Sequence, residues 1–397
     1  MSLESARRSP MFRYLIGLTV AATVGLQAWR TLFDNFAVHV AGLEGGHVGV
    51  IQSVREIPGL MTFLVVYVLL LLREHRLSAL SILLLGAGVG LTGLFPSYLG
   101  LLATTLLMSL GFHYYETTNQ SLTLQYFDRD TAPWVFGKQR SVAAAANIAV
   151  GGAIFVLAEF LPYRAVYLAT GTLLVGAAVW AFRQDPSDTA RVPQHRGMVL
   201  RRRYTLFYVL TFMAGARRQI FIAFAVFLLV KRFGFTVQEI TLLFVVNNGV
   251  NFYLSPLIGR AIIRFGERKV LTLEYGSLVL VFLAYATVDS RWVVAVLYVL
   301  DHVFFNFAIA IRTYFQKVGD PRDIAPSMAV SFAINHIAAV ALPAVGGLLW
   351  MVDYRIPFLA GAGLALTSLV AVQWIRTPVA ASVGLRPEPV SSGREGA

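Results

Sequence analysis

The chain has 397 residues, 57% of them hydrophobic and only 14% charged, with a net charge of +12. A soluble domain carries about 25% charged residues, so an ordinary soluble globule is excluded. The complete lack of cysteine excludes disulfides, thiolate zinc sites and thiol catalysis.

Taken in chain order, twelve apolar segments are candidate membrane spans: 14–41, 46–72, 77–96, 98–126, 141–161, 165–182, 204–230, 238–259, 270–290, 292–311, 326–351 and 356–375. A helix needs roughly 20 residues to cross a ~30 Å hydrocarbon core, and each segment is near or above that length. None shows the short period-2 alternation of a membrane β-barrel. The first run lacks a small-residue cleavage site and reads as a retained helix, not a signal peptide. The fold class expected is all-α integral membrane, with twelve transmembrane helices in two pseudo-symmetric six-helix bundles. The domains are 1–182, a cytosolic linker 183–203, 204–375, and a tail 376–397. The tail has no apolar face and is expected to be disordered.

Basic residues are placed unevenly. The alternate segments that include both termini hold 24 Lys and Arg, and the opposite loops hold 5. Positive residues gather on the cytosolic side, so both termini are expected there. The lipid bilayer of a bacterial inner membrane suits this pattern. Arg201-Arg202-Arg203 abuts a span, so the basic balance reads as topology and not as nucleic-acid binding.

Arg30, Arg55, Arg217 and Arg218 lie inside the apolar runs. A charge at the bilayer centre costs at least ~2.5–3.5 kcal/mol, so such residues face a bundle interior and usually function there. Arg30 and Asp34 stand at i and i+4 and can pair; a pair of that kind also serves packing alone. Arg217 and Arg218 differ by about 100° around a helix and cannot point to one place. Arg218 is expected to face substrate and Arg217 a helix contact.

The sequence also repeats. At a shift of 188, Ala28 meets Ala216, Arg30 meets Arg218, and Phe36-Ala37-Val38 meets Phe224-Ala225-Val226. Further on, Tyr126-Phe127 meets Tyr314-Phe315, Pro133 meets Pro321, and Asn147 meets Asn335. At a shift of 193, Glu74-His75-Arg76 meets Glu267-Arg268-Lys269. The ordered matches imply two six-helix halves in parallel repeat.

Between the eighth and ninth spans runs Gly259-Arg-Ala-Ile-Ile-Arg264-Phe-Gly266-Glu-Arg268-Lys269. This resembles the loop motif of the major facilitator superfamily, with Ile263 at the usually acidic position. The first-half copy, Leu71-Leu72-Arg73-Glu74-His75-Arg76, keeps charges but lacks both glycines. Leu342-Pro343-Ala344-Val345-Gly346-Gly347 faintly resembles the family's antiporter element, but in the eleventh span. The resemblance implies two bundles around a midplane cavity lined by spans 1, 4, 7 and 10. It also implies a cytosolic gating latch, here Gly259, Arg264, Gly266, Arg268 and Lys269.

On that arrangement Arg30, Arg218, Trp29, Asn247, Asn251, His302 and Asn335 are the candidate substrate-binding residues. Asp34, Glu116, His113 and Asp301 are the candidate proton-coupling residues. Arg55 and Glu56 read as gating or assembly residues near the outer end of the second span. Guanidinium offers a planar, permanently charged fork for carboxylate or phosphate. The function expected is secondary active transport of a small polar, anionic or zwitterionic solute by alternating access, coupled to a proton. One alternative is a divalent-metal transporter using His113, Glu116, Asp301, His302 and His336, a mixed imidazole and carboxylate ligand set. A second is an exporter of an amphiphilic drug or lipid. No G-x-x-x-x-G-K-[ST] or H-E-x-x-H occurs, so neither ATP hydrolysis nor a zinc hydrolase is expected. No enzyme activity, cofactor or resident metal is expected, and a two-half bundle can work as a monomer.

Overall fold

The computed structural model describes residues 2–188 and 192–376. Several of the long helices start where the sequence supplies a cap or a fixed φ. Ser9 accepts from the Phe12 amide and Pro10 stands at the first turn of α1 (Pro10–His39), the positions where a hydroxyl cap and proline are tolerated best. The second segment, α2, runs Gly45–Leu60, then a 3₁₀ turn Met61–Leu64, then Val65–Val68. Then come α3 (Glu74–Thr92), α4 (Tyr98–Tyr126), α5 (Ala132–Phe160) and α6 (Tyr163–Arg183). Ser97 caps α4 by accepting from the Gly100 amide.

The second half repeats the plan. Here α7 comprises Thr205–Ile220, a π-helical turn Phe221–Ala225, and Val226–Lys231. It is followed by α8 (Val237–Phe265), which opens on a Thr236–Glu239 capping box, and by α9 (Glu267–Thr287). Next, α10 comprises Arg291–Phe305, a 3₁₀ turn Asn306–Ala308, and Ile309–Val318. Last come α11 (Ile324–Val352) and α12 (Arg355–Ala371). Among the described residues there is no strand, and nine helices are long and apolar enough to cross a membrane. The tail beyond Arg376 and linker residues 189–191 lie outside the described residues.

Three helices run well past the apolar runs. The fifth starts at Ala132, not 141, the eighth continues to Phe265, not 259, and the tenth continues to Val318, not 311. Lys138, Arg140 and Arg312 therefore sit inside helices rather than in basic loops. Polar residues on one face do not end a helix when the opposite face stays apolar.

The halves meet along a seam of small residues. A Cβ on Gly137 would come 2.9 Å from the Pro256 Cα, and one on Gly259 would come 3.0 Å from the Trp134 Cα. The two glycines thus let α5 and α8 cross almost backbone to backbone. The expected gating glycine Gly259 belongs to this crossing. Hydrogen bonds between the halves gather at the basic end. Gln316 Nε2 donates to the carbonyls of Leu124 (2.7 Å) and Phe127 (2.6 Å), and Arg129 donates to the Lys317 carbonyl at 3.1 Å. Farther in, Ser141 donates to the Phe252 carbonyl at 2.6 Å and Asn147 to Asn248 at 3.1 Å.

Candidate functional site

At the inner limit of these contacts lies a cavity of about 400 Å³ between the halves. Arg30 reaches it from α1, Arg55 and Glu56 from α2, His113 and Glu116 from α4, and Arg140 and Asn147 from α5. The second half supplies Arg218 from α7, Arg312 from α10, and Asn335 and His336 from α11. Five arginines face two glutamates, a surplus of three positive charges with the histidines neutral.

The surplus is not relieved locally. Glu56 is already engaged, since Arg55 donates to its Oε1 from Nη2 at 2.7 Å and from Nε at 3.2 Å. Among the described residues no ion pair reaches Arg30, Arg140, Arg218 or Arg312. The Arg218 Nε is buried without a hydrogen-bond partner. Phe305 lies 5.7 Å from the Arg140 guanidinium and Phe136 lies 5.6 Å from that of Arg312. Such rings position a cation without cancelling its charge.

The two imidazoles are held in one orientation. His113 Nδ1 lies 2.9 Å from both the Ser109 carbonyl and the Ser109 Oγ, and His336 Nδ1 lies 2.9 Å from the Phe332 carbonyl. A carbonyl only accepts, so each Nδ1 carries the proton and each Nε2 presents a lone pair. The His336 Nε2 stands 3.9 Å from Glu56 Oε2, across the seam. Gly59 makes room beneath both rings: a Cβ there would fall 2.8 Å from His336 Nε2 and 2.9 Å from His113 Cδ2.

The helices that carry these groups are interrupted beside them. A 3₁₀ turn follows Arg55 and Glu56 in α2, the π turn follows Arg218 in α7, and a 3₁₀ turn precedes Arg312 in α10. Side chains satisfy the carbonyls there: Thr62 donates to the Gly59 carbonyl at 2.9 Å and Asn306 to that of His302 at 2.9 Å. Single π turns inside α-helices are frequent at functional sites.

The expected site residues divide into three groups. Arg30, Arg218, Asn335, His113 and Glu116 line the cavity. The repeat pairs Arg30 with Arg218 and Asn147 with Asn335, and all four are in the lining. Arg55 and Glu56 line it too, in place of the outer position expected for them.

A second group lies behind the wall. Arg217 stacks 4.2 Å over Tyr275 and pairs with Glu274 at 3.5 Å, as a helix contact rather than a cavity group. Asp301 shares a small space with these two, closed by Arg218, Phe305 and Ala308. Trp29 is fully buried and stacked on Phe33 at 4.3 Å, and its ring carries the Arg55 guanidinium at 5.8 Å. It positions a cavity arginine instead of touching the cavity. Asn251 and His302 bind each other at 2.8 Å, and Asn306 donates to Asn251 at 2.6 Å. This joins α8 to α10 outside the lining. Asn247 is also outside it, buried with neither amide atom bonded.

The third group is away from the cavity. Asp34 is exposed, and no ion pair with Arg30 forms among the described residues; Arg30 turns inward while Asp34 lies one turn farther along. Of the latch, Arg268 donates to Gln373 on the 3₁₀ turn after α12 at 3.1 Å, and Arg264 lies over Phe265 at 5.3 Å. Gly266 takes φ +80°, the left-handed region where glycine is favoured. Lys269 is exposed. The tight contact comes from Glu267 between them, buried and paired with Lys317 at 2.9 Å. Its repeat partner Glu74 accepts from Gln125 at 2.7 Å.

Sequence reading missed Arg140, Arg312 and Glu274. Arg140 stands seven residues before Asn147, two turns along one helix face, and Arg312 sits in an apolar stretch that continues to Phe315. Both signals were present, and only counting these arginines with the basic loops hid them.

The Major Facilitator Superfamily profile matches residues 11–322 and 207–395. No protein with a curated description is similar enough in sequence to count as a relative. Among solved structures the chain is similar to FucP in its outward conformation, at 13% identity and TM-score 0.72 over 92% of this chain and 99% of that one. It is similar to the human organic anion transporter MFSD10, at 12% identity and TM-score 0.71 over 92% and 100%. A bacterial homologue of the iron transporter ferroportin, in an outward-facing state, gives 14% identity and TM-score 0.73 over 91% and 98%. With the profile spanning both halves of a chain built of long apolar helices, this multi-pass membrane protein is a transporter that belongs to the Major Facilitator Superfamily.

Proposed function

We propose that the protein is a secondary active transporter that carries a small organic anion by alternating access, coupled to a proton. The observation that carries this reading is the cavity's charge, with five guanidiniums against two carboxylates, one of which Arg55 already holds. Charge held at low dielectric acts strongly on a ligand of opposite sign, so the cavity favours an anion over a neutral or cationic solute. Arg30 and Arg218, from symmetry-related helices, would grip it from both halves.

The proton has a separate place in this reading. Arg217, Glu274 and Asp301 are each at most 4% exposed and place two carboxylates against one guanidinium. The Asp301 Oδ2 and Glu274 Oε2 have no hydrogen-bond partner. One added proton balances the charge. Arg218, which borders both this space and the cavity, would link its occupancy to the anion. Glu116 is the second candidate, inside the cavity itself.

The gathering of contacts at the basic end supports an outward-open state, with that end and both termini in the cytosol. The test is uptake of organic anions into proteoliposomes under a pH gradient. Arg218→Gln is expected to abolish anion binding. Asp301→Asn is expected to keep anion exchange and lose accumulation driven by the gradient. Undiminished anion uptake by Arg218→Gln would overturn the anion reading.

A further inference from the structure

We infer that the anion is carried as a complex with a divalent transition metal, the metal being held by Glu56, His113 and His336. This rests on the anion reading and narrows its substrate class. Three observations converge on these side chains.

The first is ligand geometry. One donor atom from each of the three residues lies within 4.8 Å of the other two. Arg55 occupies Oε1 of Glu56, which leaves Oε2 facing the His336 Nε2 at 3.9 Å. Two imidazole nitrogens and one carboxylate oxygen are the donor set of an open zinc-type site, with a fourth position for an outside ligand. Imidazole donors suit zinc, copper, iron and nickel, whereas magnesium and calcium prefer oxygen.

The second is support from behind. Each Nδ1 is tied to a backbone carbonyl one turn back, at Ser109 and at Phe332. Ligating histidines are almost always fixed in this way, with the second nitrogen donating to a carbonyl or carboxylate. Core histidines with no ligand to meet need not aim their free nitrogens at one carboxylate. Glycine at position 59 leaves the rings the space to do so.

The third is charge, which decides what the metal brings with it. A bare dication would enter a cavity that already holds a surplus of three positive charges. A metal bound to a polycarboxylate arrives as a neutral or negative complex. Its free carboxylates then meet Arg30 and Arg218, and one metal-bound carboxylate completes the fourth position. Glu56 and His113 come from the first half and His336 from the second. The metal would join the two halves at the seam, so cargo would bear directly on the movement of one half against the other.

The experiment uses the purified full chain and measures dissociation constants for citrate, zinc, zinc citrate and magnesium citrate. Zinc citrate is expected to bind about tenfold or more tightly than citrate or magnesium citrate, the scale on which ligand support alters metal sites. In His336→Gln, and separately in His113→Gln, that ratio is expected to fall to about one. Cobalt citrate gives an independent readout: a tetrahedral d–d spectrum on the wild-type chain, absent from both variants. Equal affinity for citrate with and without zinc overturns this inference and leaves the anion reading intact. Zinc that binds as tightly alone as with citrate overturns the joint cargo. Zinc binding with no citrate binding in any form overturns the anion reading as well.

Discussion

Arg217 and Glu274 face each other at 3.5 Å between α7 and α9, with 4% and 2% of their side chains exposed. Two charges are thereby fixed inside the second bundle, one residue away in sequence from the cavity arginine Arg218. Removing one partner of a buried pair leaves the other uncompensated, at a cost of about 3–5 kcal/mol. Arg217→Met leaves Glu274 and Asp301 without their shared cation and is therefore expected to lower the melting temperature in detergent. Adding Glu274→Leu and Asp301→Asn is expected to recover much of the loss, because no unpaired charge then stays buried. An Arg217→Met protein that melts like wild type would show that the cluster carries no stability.

Arg30 and Arg218 are expected to act on the same ligand from opposite halves. A hydrogen bond to a charged group contributes about 1.5–3 kcal/mol. Arg30→Gln and Arg218→Gln should each weaken anion binding by roughly tenfold or more, since each 1.4 kcal/mol is a factor of ten. Calorimetry on the purified chain reads both constants. Arg140→Gln is expected to behave in the same way, although the sequence places Arg140 next to a basic loop.

The crossing of α5 and α8 depends on Gly137 and Gly259. A side chain on Gly259 meets the Trp134 Cα at 3.0 Å, and that atom is backbone and cannot step aside. Gly259→Val is expected to pry the basic end open. The chain has no cysteine, so a single cysteine at Ser141 reports the seam cleanly. Its labelling should rise in the valine variant, and unchanged labelling would mean that the seam tolerates the added bulk.

Asp323, between α10 and α11, organises the docked end of the linker. It accepts from Tyr204 at 2.6 Å and pairs with Arg201 at 2.7 Å and His195 at 2.6 Å. Burial works against its charge, but these hydrogen bonds and the Arg201 guanidinium outweigh it and hold the carboxyl below its ordinary range. A depressed carboxylate stabilises the fold above its unfolded pKa and loses that contribution as pH falls through the folded value. Linker docking should therefore persist at neutral pH and weaken only in strong acid. Asp323→Asn should expose the 192–200 stretch to protease already at neutral pH. Equal cleavage of variant and wild type would refute the clamp.

Much of this protein was legible before any fold was seen. Apolar length fixed the helices because lipid leaves the backbone no partners except its own. Arg30 and Arg218 were recognisable as cavity groups because charge inside an apolar run is too costly to leave facing lipid, and the repeat paired them. Trp29, Asn247, Asn251 and His302 lie in the same spans and are also polar or aromatic, yet none of them reaches the cavity lining. That choice depends on helix rotation and on the packed partner, neither of which spacing encodes. Arg140 and Arg312 show the converse, since a charge at the end of an apolar run reads as loop until the helix is seen to continue.

By itself, then, the sequence determined the class, the span order, the two-fold repeat and the presence of buried cations, all consequences of solvation and helical period. Only the tertiary structure decided which cations share one space. It also brought Glu56 and His113 to His336, residues up to 280 positions apart whose meeting depends on how two bundles pack. Contact across a seam is set by the shape of both surfaces at once, with Gly59, Gly137 and Gly259 making the room, and no local stretch of sequence carries that information.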